Sequence, residues 1–151
     1  WSSDVCSSDL ILATSGVIGL TNTFIYDKPS VLIGRKGTID KPQFQDTPFW
    51  TIDTLFYSEI FLNNCPKFIY YKFLIVDWHS CNEASGVPSL KASTIENIEL
   101  IFPSLPEQQA IAQILSDMDK EINQLEQKRD KYKDLKQAMM QQLLTGKIRL
   151  V

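Results

Sequence analysis

From Glu107 to Leu144 the chain contains no proline or glycine and is rich in Ala, Gln, Glu, Lys and Leu, all good helix formers. Ser104-Leu105-Pro106-Glu107 opens this run as a capping box: the Ser104 hydroxyl accepts from the N3 backbone N–H, and Glu107 reaches back to the N-cap. Gly146 supplies a left-handed stop. At 1.5 Å per residue the predicted helix is roughly 55 Å long, well beyond the radius of a domain of this size. Any apolar stripe along such a helix needs a partner.

The stripe exists. Ile111, Leu115, Met118, Ile122 and Leu125 recur at alternating spacings of four and three, the a/d seam of a coiled coil. The same register continues through Arg129, Tyr132 and Lys136 to Met139 and Leu143, with Leu135 flanking the weakened middle. Polar residues at a positions lower stability but restrict register and partner choice. The alternative is an amphipathic helix packed on its own globular body. A body of about a hundred residues cannot cover so long a stripe, which favours the coiled coil.

The 151 residues suffice for one domain plus this arm, and no apolar run reaches the roughly twenty residues of a transmembrane helix. Cys6, Cys65 and Cys81 are odd in number and lack C-x-x-C spacing, which predicts reduced, cytoplasmic thiols rather than a disulfide or zinc framework. Residues 1–106 hold 7 Lys/Arg against 11 Asp/Glu, and residues 107–151 hold 8 against 7. Any nucleic-acid binding by so acidic a body would require a local basic patch or a basic partner. Residues 1–10 (WSSDVCSSDL) lack apolar periodicity and read as a non-native segment, to be set aside. The opening strands of the domain are then expected to be missing.

Along the body, Ile11 to Leu20 reads as strand and turn, and Val31-Leu32-Ile33 as a short buried strand. A tight basic turn, Gly34-Arg35-Lys36-Gly37-Thr38, follows, with a strand resuming at Ile39. Phe49 to Tyr57 alternates as one strand, Trp50 and Ile52 on one face and Thr51, Asp53 and Leu55 on the other. Pro66 at N1 starts a helix running to about Trp78, whose aromatics (Phe68, Tyr70, Tyr71, Phe73) more simply cover a sheet than stack bases. Ser85 to Ser89 is a loop, Ser93-Thr94-Ile95-Glu96 caps a very short helix to about Ile98, and Leu100-Ile101-Phe102 is a closing strand. A last strand is expected over residues 147–151. The fold class is mixed α/β, α+β-like: a small mixed sheet with helices, then the long helix, divided as 11–103 and 104–151.

Five strings in this order resemble the DNA-specificity (S) subunit of type I restriction–modification systems. They are Gly34-Arg35-Lys36-Gly37-Thr38, Phe49-Trp50-Thr51-Ile52-Asp53-Thr54, Ser85-Gly86-Val87-Pro88-Ser89-Leu90, Leu105-Pro106-Glu107-Gln108-Gln109-Ala110-Ile111-Ala112 and Leu143-Leu144-Thr145-Gly146-Lys147-Ile148-Arg149-Leu150. Each is weak alone; together they run from Gly34 to Leu150, and the resemblance they carry covers residues 11–151. The family often has Pro-Pro-Leu before the Glu-Gln pair, where Pro103-Ser104-Leu105-Pro106 stands here. The resemblance implies one target-recognition domain followed by a spacer helix. That helix would pair with a second spacer, in the same full-length chain or in a second copy. It further implies double-stranded DNA and the methylation and restriction subunits as partners. S-adenosylmethionine, ATP and magnesium belong on those subunits, with no cofactor and no catalytic residue here.

Within that reading Arg35 and Lys36 are the first candidates for DNA contact, since flanking glycines allow close approach to phosphates or a guanine edge. The alternative is a glycine-shaped hairpin with solvated cations. Thr38 and Lys41 lie on the same turn. Thr51 and Asp53 share a strand face; Asp53 can accept from cytosine N4, although a hydrogen bond inside the sheet is favoured. Ser85 and Ser89 either touch phosphate or cap the next helix, and capping is favoured. His79 has no metal-ligand neighbours in sequence, and Lys128-Arg129-Asp130-Lys131 reads as a solvated helix face. Two rivals stand: a coiled-coil adaptor, and a specificity subunit of a related type II system. A small hydrolase lacks a paired nucleophile and base.

Overall fold

A computed structural model describes residues 9–150. Its centre is the strand β3 (Ser30–Gly34), every residue of which is buried. A continuous Val-Leu-Ile run suits a strand covered on both faces. Two antiparallel neighbours flank it, β4 (Gln43–Gln45) and β6 (Leu55–Tyr57), with Leu32 opposite both Gln43 and Tyr57. Successive side chains of a strand point to opposite faces. Leu32 accordingly joins Leu12, Phe49 and Leu55 in one apolar cluster, while Ile33 joins Ile39, Trp78 and Leu90 in another.

The first cluster is closed by a second three-stranded sheet in the order β2-β1-β5. Strands β1 (Asp9–Ala13) and β2 (Gly16–Thr21) form a hairpin through Thr14 and Ser15, and Gly16 takes the positive φ of 103° that so tight a reversal requires. β5 (Phe49–Thr51) lies parallel to β1, which makes this sheet mixed. Of the ten residues set aside as non-native, 1–8 lie outside the described residues, while Asp9 and Leu10 form the first positions of β1.

Residues 49–57 are therefore not one strand. The chain pairs with β1 up to Thr51, turns at Asp53-Thr54, and re-enters the other sheet at Leu55. The period-2 pattern survives only because Phe49 and Leu55 both fill the first core cluster from different sheets. Ile39 is fully buried as well but lies outside any strand, its side chain filling the second cluster from a loop.

Helix α1 (Pro66–Leu74) packs on β3 and β4, burying Phe68 and Ile69, so the aromatic helix does cover a sheet. It stops four residues before the expected Trp78. The Trp78 indole N–H donates to the Phe73 carbonyl at 2.8 Å and its ring meets Phe73 edge-on, folding the chain back into the second cluster. The short helix α2 (Ala92–Glu96) has Lys91 at its N-cap and no side-chain cap. Ser93 thus lies inside the helix and neither Ser85 nor Ser89 caps it. No strand forms over residues 100–102: Ile101 is 85% exposed and Phe102 instead meets the Phe68 ring edge-on.

Helix α3 (Leu105–Leu144) is the predicted long helix, 40 residues and thus about 60 Å. The Ser104 carbonyl accepts the N–H groups of Glu107 and Gln108, and Gly146, at φ 73°, ends the helix with its N–H on the Leu143 carbonyl. The N–H of Ile148 then bonds to the Gln142 carbonyl, and residues 147–150 form no strand. By compactness the chain divides into two units at Ala112/Gln113. The first turns of α3 belong to the globular unit because Gln108 and Ala112 are buried there. In the second unit Met118, Ile122, Leu125, Tyr132 and Met139 are exposed, as are Leu135 and Met140 beside them. Ile111, Leu115 and Leu143 are half-buried. The basic cluster of α3 is solvated, with Arg129 bonded to Asp130 at 2.9 Å.

Candidate nucleic-acid interface

The basic turn leaves the buried end of β3, and both its glycines are required. A Cβ on Gly34 would lie 2.0 Å from the Thr38 carbonyl oxygen, so only glycine lets the chain close so tightly. Gly37 takes a φ of 91°, which side chains disfavour. The turn is then clamped from both sides. The Arg35 N–H donates to the Thr54 carbonyl at 2.8 Å, and the Arg35 carbonyl accepts from Leu90 at 2.9 Å. The Gly37 N–H donates to the Pro88 carbonyl at 2.8 Å, and Lys36 bridges to Ser89.

This clamp brings together three of the strings that sequence analysis singled out. The Asn82 side chain steadies the 85–90 loop: its Oδ1 accepts from Ala84 and from Ser89, at 3.1 and 3.0 Å, while its Nδ2 donates to the Ala84 carbonyl. Between the strings lies an open hollow of about 580 Å³. Its wall carries Arg35, Lys36 and Lys91 against the single carboxylate of Asp53, together with Thr54, Phe56 and Ser89. A body with more acidic than basic residues thus concentrates cations at one place.

Those cations are held differently. Arg35 donates from Nη1 to the Asp53 carboxylate, and its Cζ lies 6.0 Å from the Phe56 ring centroid. Asp53 sits in the turn between β5 and β6 with its side chain 92% exposed, so its partner is this surface arginine and not a group inside the sheet. Lys91 pairs with Glu83, which also accepts from the Thr94 hydroxyl. The Lys91 bond first, and then the Thr94 bond, hold the Glu83 carboxyl below its ordinary value. Lys36 has no ion-pair partner among the described residues.

The remaining candidates lie off this wall. Thr38 contributes its carbonyl to the close contact with Gly34. Lys41 and Ser85 are exposed, and Thr51 lies in the other sheet, opposite Leu12. His79 faces Asp40 at 3.4 Å, and among the described residues no three His, Cys, Asp or Glu side chains group as a metal site needs. Among them, too, no helix is long and apolar enough to cross a membrane. Sequence reasoning missed Lys91 and Phe56. No local pattern marks them, since they join the wall only through the pairing of residue 36 with residue 89 and of β3 with β6.

One comparison with known proteins bears on this surface: the family model of the type I restriction modification DNA specificity domain matches residues 4–132.

Proposed function

This chain belongs to the family of type I restriction modification DNA specificity domains, and from that premise we propose that it selects the DNA sequence on which partner subunits act. The observation that carries the reading is the clamped hollow: three cations from two distant segments converge on one wall, Arg35 paired with Asp53, Lys91 with Glu83, and Lys36 with no ion-pair partner among the described residues. Double-stranded DNA presents a dense row of phosphates beside neutral base edges, and such a wall can meet both. Arg35, Lys36, Ser89 and Lys91 are the contacting residues in this proposal.

Helix α3 serves as the spacer. Its exposed seam from Met118 to Met139 pairs with a second spacer helix, in a longer chain or a second copy, and offers the methylation and restriction subunits their docking site. Those subunits bring S-adenosylmethionine, ATP and magnesium; the chain itself performs no chemistry and works in the cytoplasm. The test is to coexpress the chain with its methylation subunit and map methylated sites by sequencing. A defined motif, lost when Arg35, Lys36 and Lys91 are all changed to Glu, is the expected result. A purified complex that methylates without sequence preference, or no complex at all, overturns the reading.

A further inference from the structure

Resting on the proposed DNA recognition, the geometry points to a specific target for one part of the hollow: the Arg35–Asp53 pair reads a single G·C base pair in the major groove. Arg35 donates to guanine O6 and N7, and Asp53 accepts from N4 of the paired cytosine.

The argument begins with charge. A guanidinium seeking a phosphate gains most when no carboxylate lies beside it, yet Arg35 is bonded to Asp53, whose side chain is almost wholly exposed. The pair is neutral as a unit, and its carboxylate repels a phosphate. A base edge is neutral, and in the major groove only G·C places two acceptors side by side, N7 and O6 of one guanine, followed by an exocyclic donor. The pair presents the complement of that pattern. Asp53 engages Nη1 of Arg35, leaving Nε and Nη2 for a forked contact.

The second consideration is preorganisation. Both backbone polar groups of Arg35 are bonded, to Thr54 and to Leu90, and its guanidinium lies near the Phe56 ring. The turn itself closes so tightly that a Cβ at Gly34 would meet the Thr38 carbonyl. A side chain fixed at its root and steered at its tip loses little freedom on binding, which suits readout of one geometry. Lys36, adjacent and with no ion-pair partner among the described residues, is suited instead to sequence-independent phosphate contact.

The test uses the full chain in complex with its methylation subunit. In the mapped methylation motif, Arg35→Lys and Asp53→Asn should each relax the same G·C position and leave the others intact, with discrimination there falling about ten- to a hundredfold. Lys36→Gln should lower occupancy of every site alike and flatten the salt dependence of binding. Should the variants misfold, the unaltered complex answers through the DNA: 7-deazaguanine at that position removes N7 and should weaken binding about tenfold. An Arg35→Lys complex with the parent motif, or binding indifferent to 7-deazaguanine at every guanine of the motif, overturns the inference while leaving DNA recognition standing. A parent complex with no motif removes both.

Discussion

Gln108 is the one fully buried polar side chain of α3, and it joins two elements that are far apart in sequence. Its Oε1 accepts from the Cys65 N–H at 2.9 Å, and its Nε2 donates to the Pro103 carbonyl at 2.9 Å, with the residue only 2% exposed. Cys65 is the N-cap of α1 and has no side-chain cap of its own. Replacing Gln108 by Met keeps the volume and removes both bonds. Each orphaned partner then costs about 1–3 kcal/mol; taking the lower end, because both bonds are only part-buried, the loss is about 2 kcal/mol. Gln108→Ala adds unfilled space and should cost about 3 kcal/mol. In a globular unit of about a hundred residues that lowers the melting midpoint by roughly 12 °C or more. Urea denaturation followed by Trp fluorescence, at fixed protein concentration, measures both variants. Gln108→Glu adds a pH signature: burial raises the carboxyl above its ordinary value, and the protonated acid can still donate to Pro103. Stability is then retained at low pH and lost as pH rises through the raised value. A Met variant within about 0.5 kcal/mol of the parent would refute the assignment of Gln108 as the joint between α1 and α3.

Two glycines separate crowding from backbone strain. Gly34→Ala meets the Thr38 carbonyl and should cost about 3 kcal/mol or more, whereas Gly146→Ala, in open space at φ 73°, should cost about 1 kcal/mol; equal losses in urea melts would contradict this. The Glu83 carboxyl, titrated by NMR, should ionise below 4.5 and move back up in Lys91→Met, because its bond to Lys91 is the largest cause of the shift. Since the folded value is depressed, the associated stability is present above pH 4.5 and is lost as pH falls through the folded value. Where a second copy supplies the partner helix, Ile122→Asp or Leu125→Asp along the seam should reduce the mass seen by light scattering to that of a single chain. Lys128→Glu, on the solvated face, should leave it unchanged.

The parts of this protein legible in its sequence are those governed by neighbours within a few residues. The long helix and its glycine stop, the strand and turn within residues 11–20, the buried Val-Leu-Ile strand and the aromatic face of α1 follow from propensity, capping and period. The basic turn was legible for the same reason, because adjacent glycines and cations announce a tight, charged reversal. Tertiary structure decided what that turn touches. Arg35 and Asp53 are 18 residues apart, and they meet only because the 49–57 segment breaks and crosses between sheets, which its alternation conceals. Local pattern assigns Trp78, Ile39 and Phe102 to helix or strand, yet they lie outside regular elements: a packed apolar side chain needs partners, not a periodic backbone. Lys91 enters the hollow through the bridge between residues 36 and 89, and Gln108 finds Cys65 across 43 residues. Local patterns report the energy of a segment with itself. The wall of the hollow is assembled by contacts between segments, and only the folded chain contains them.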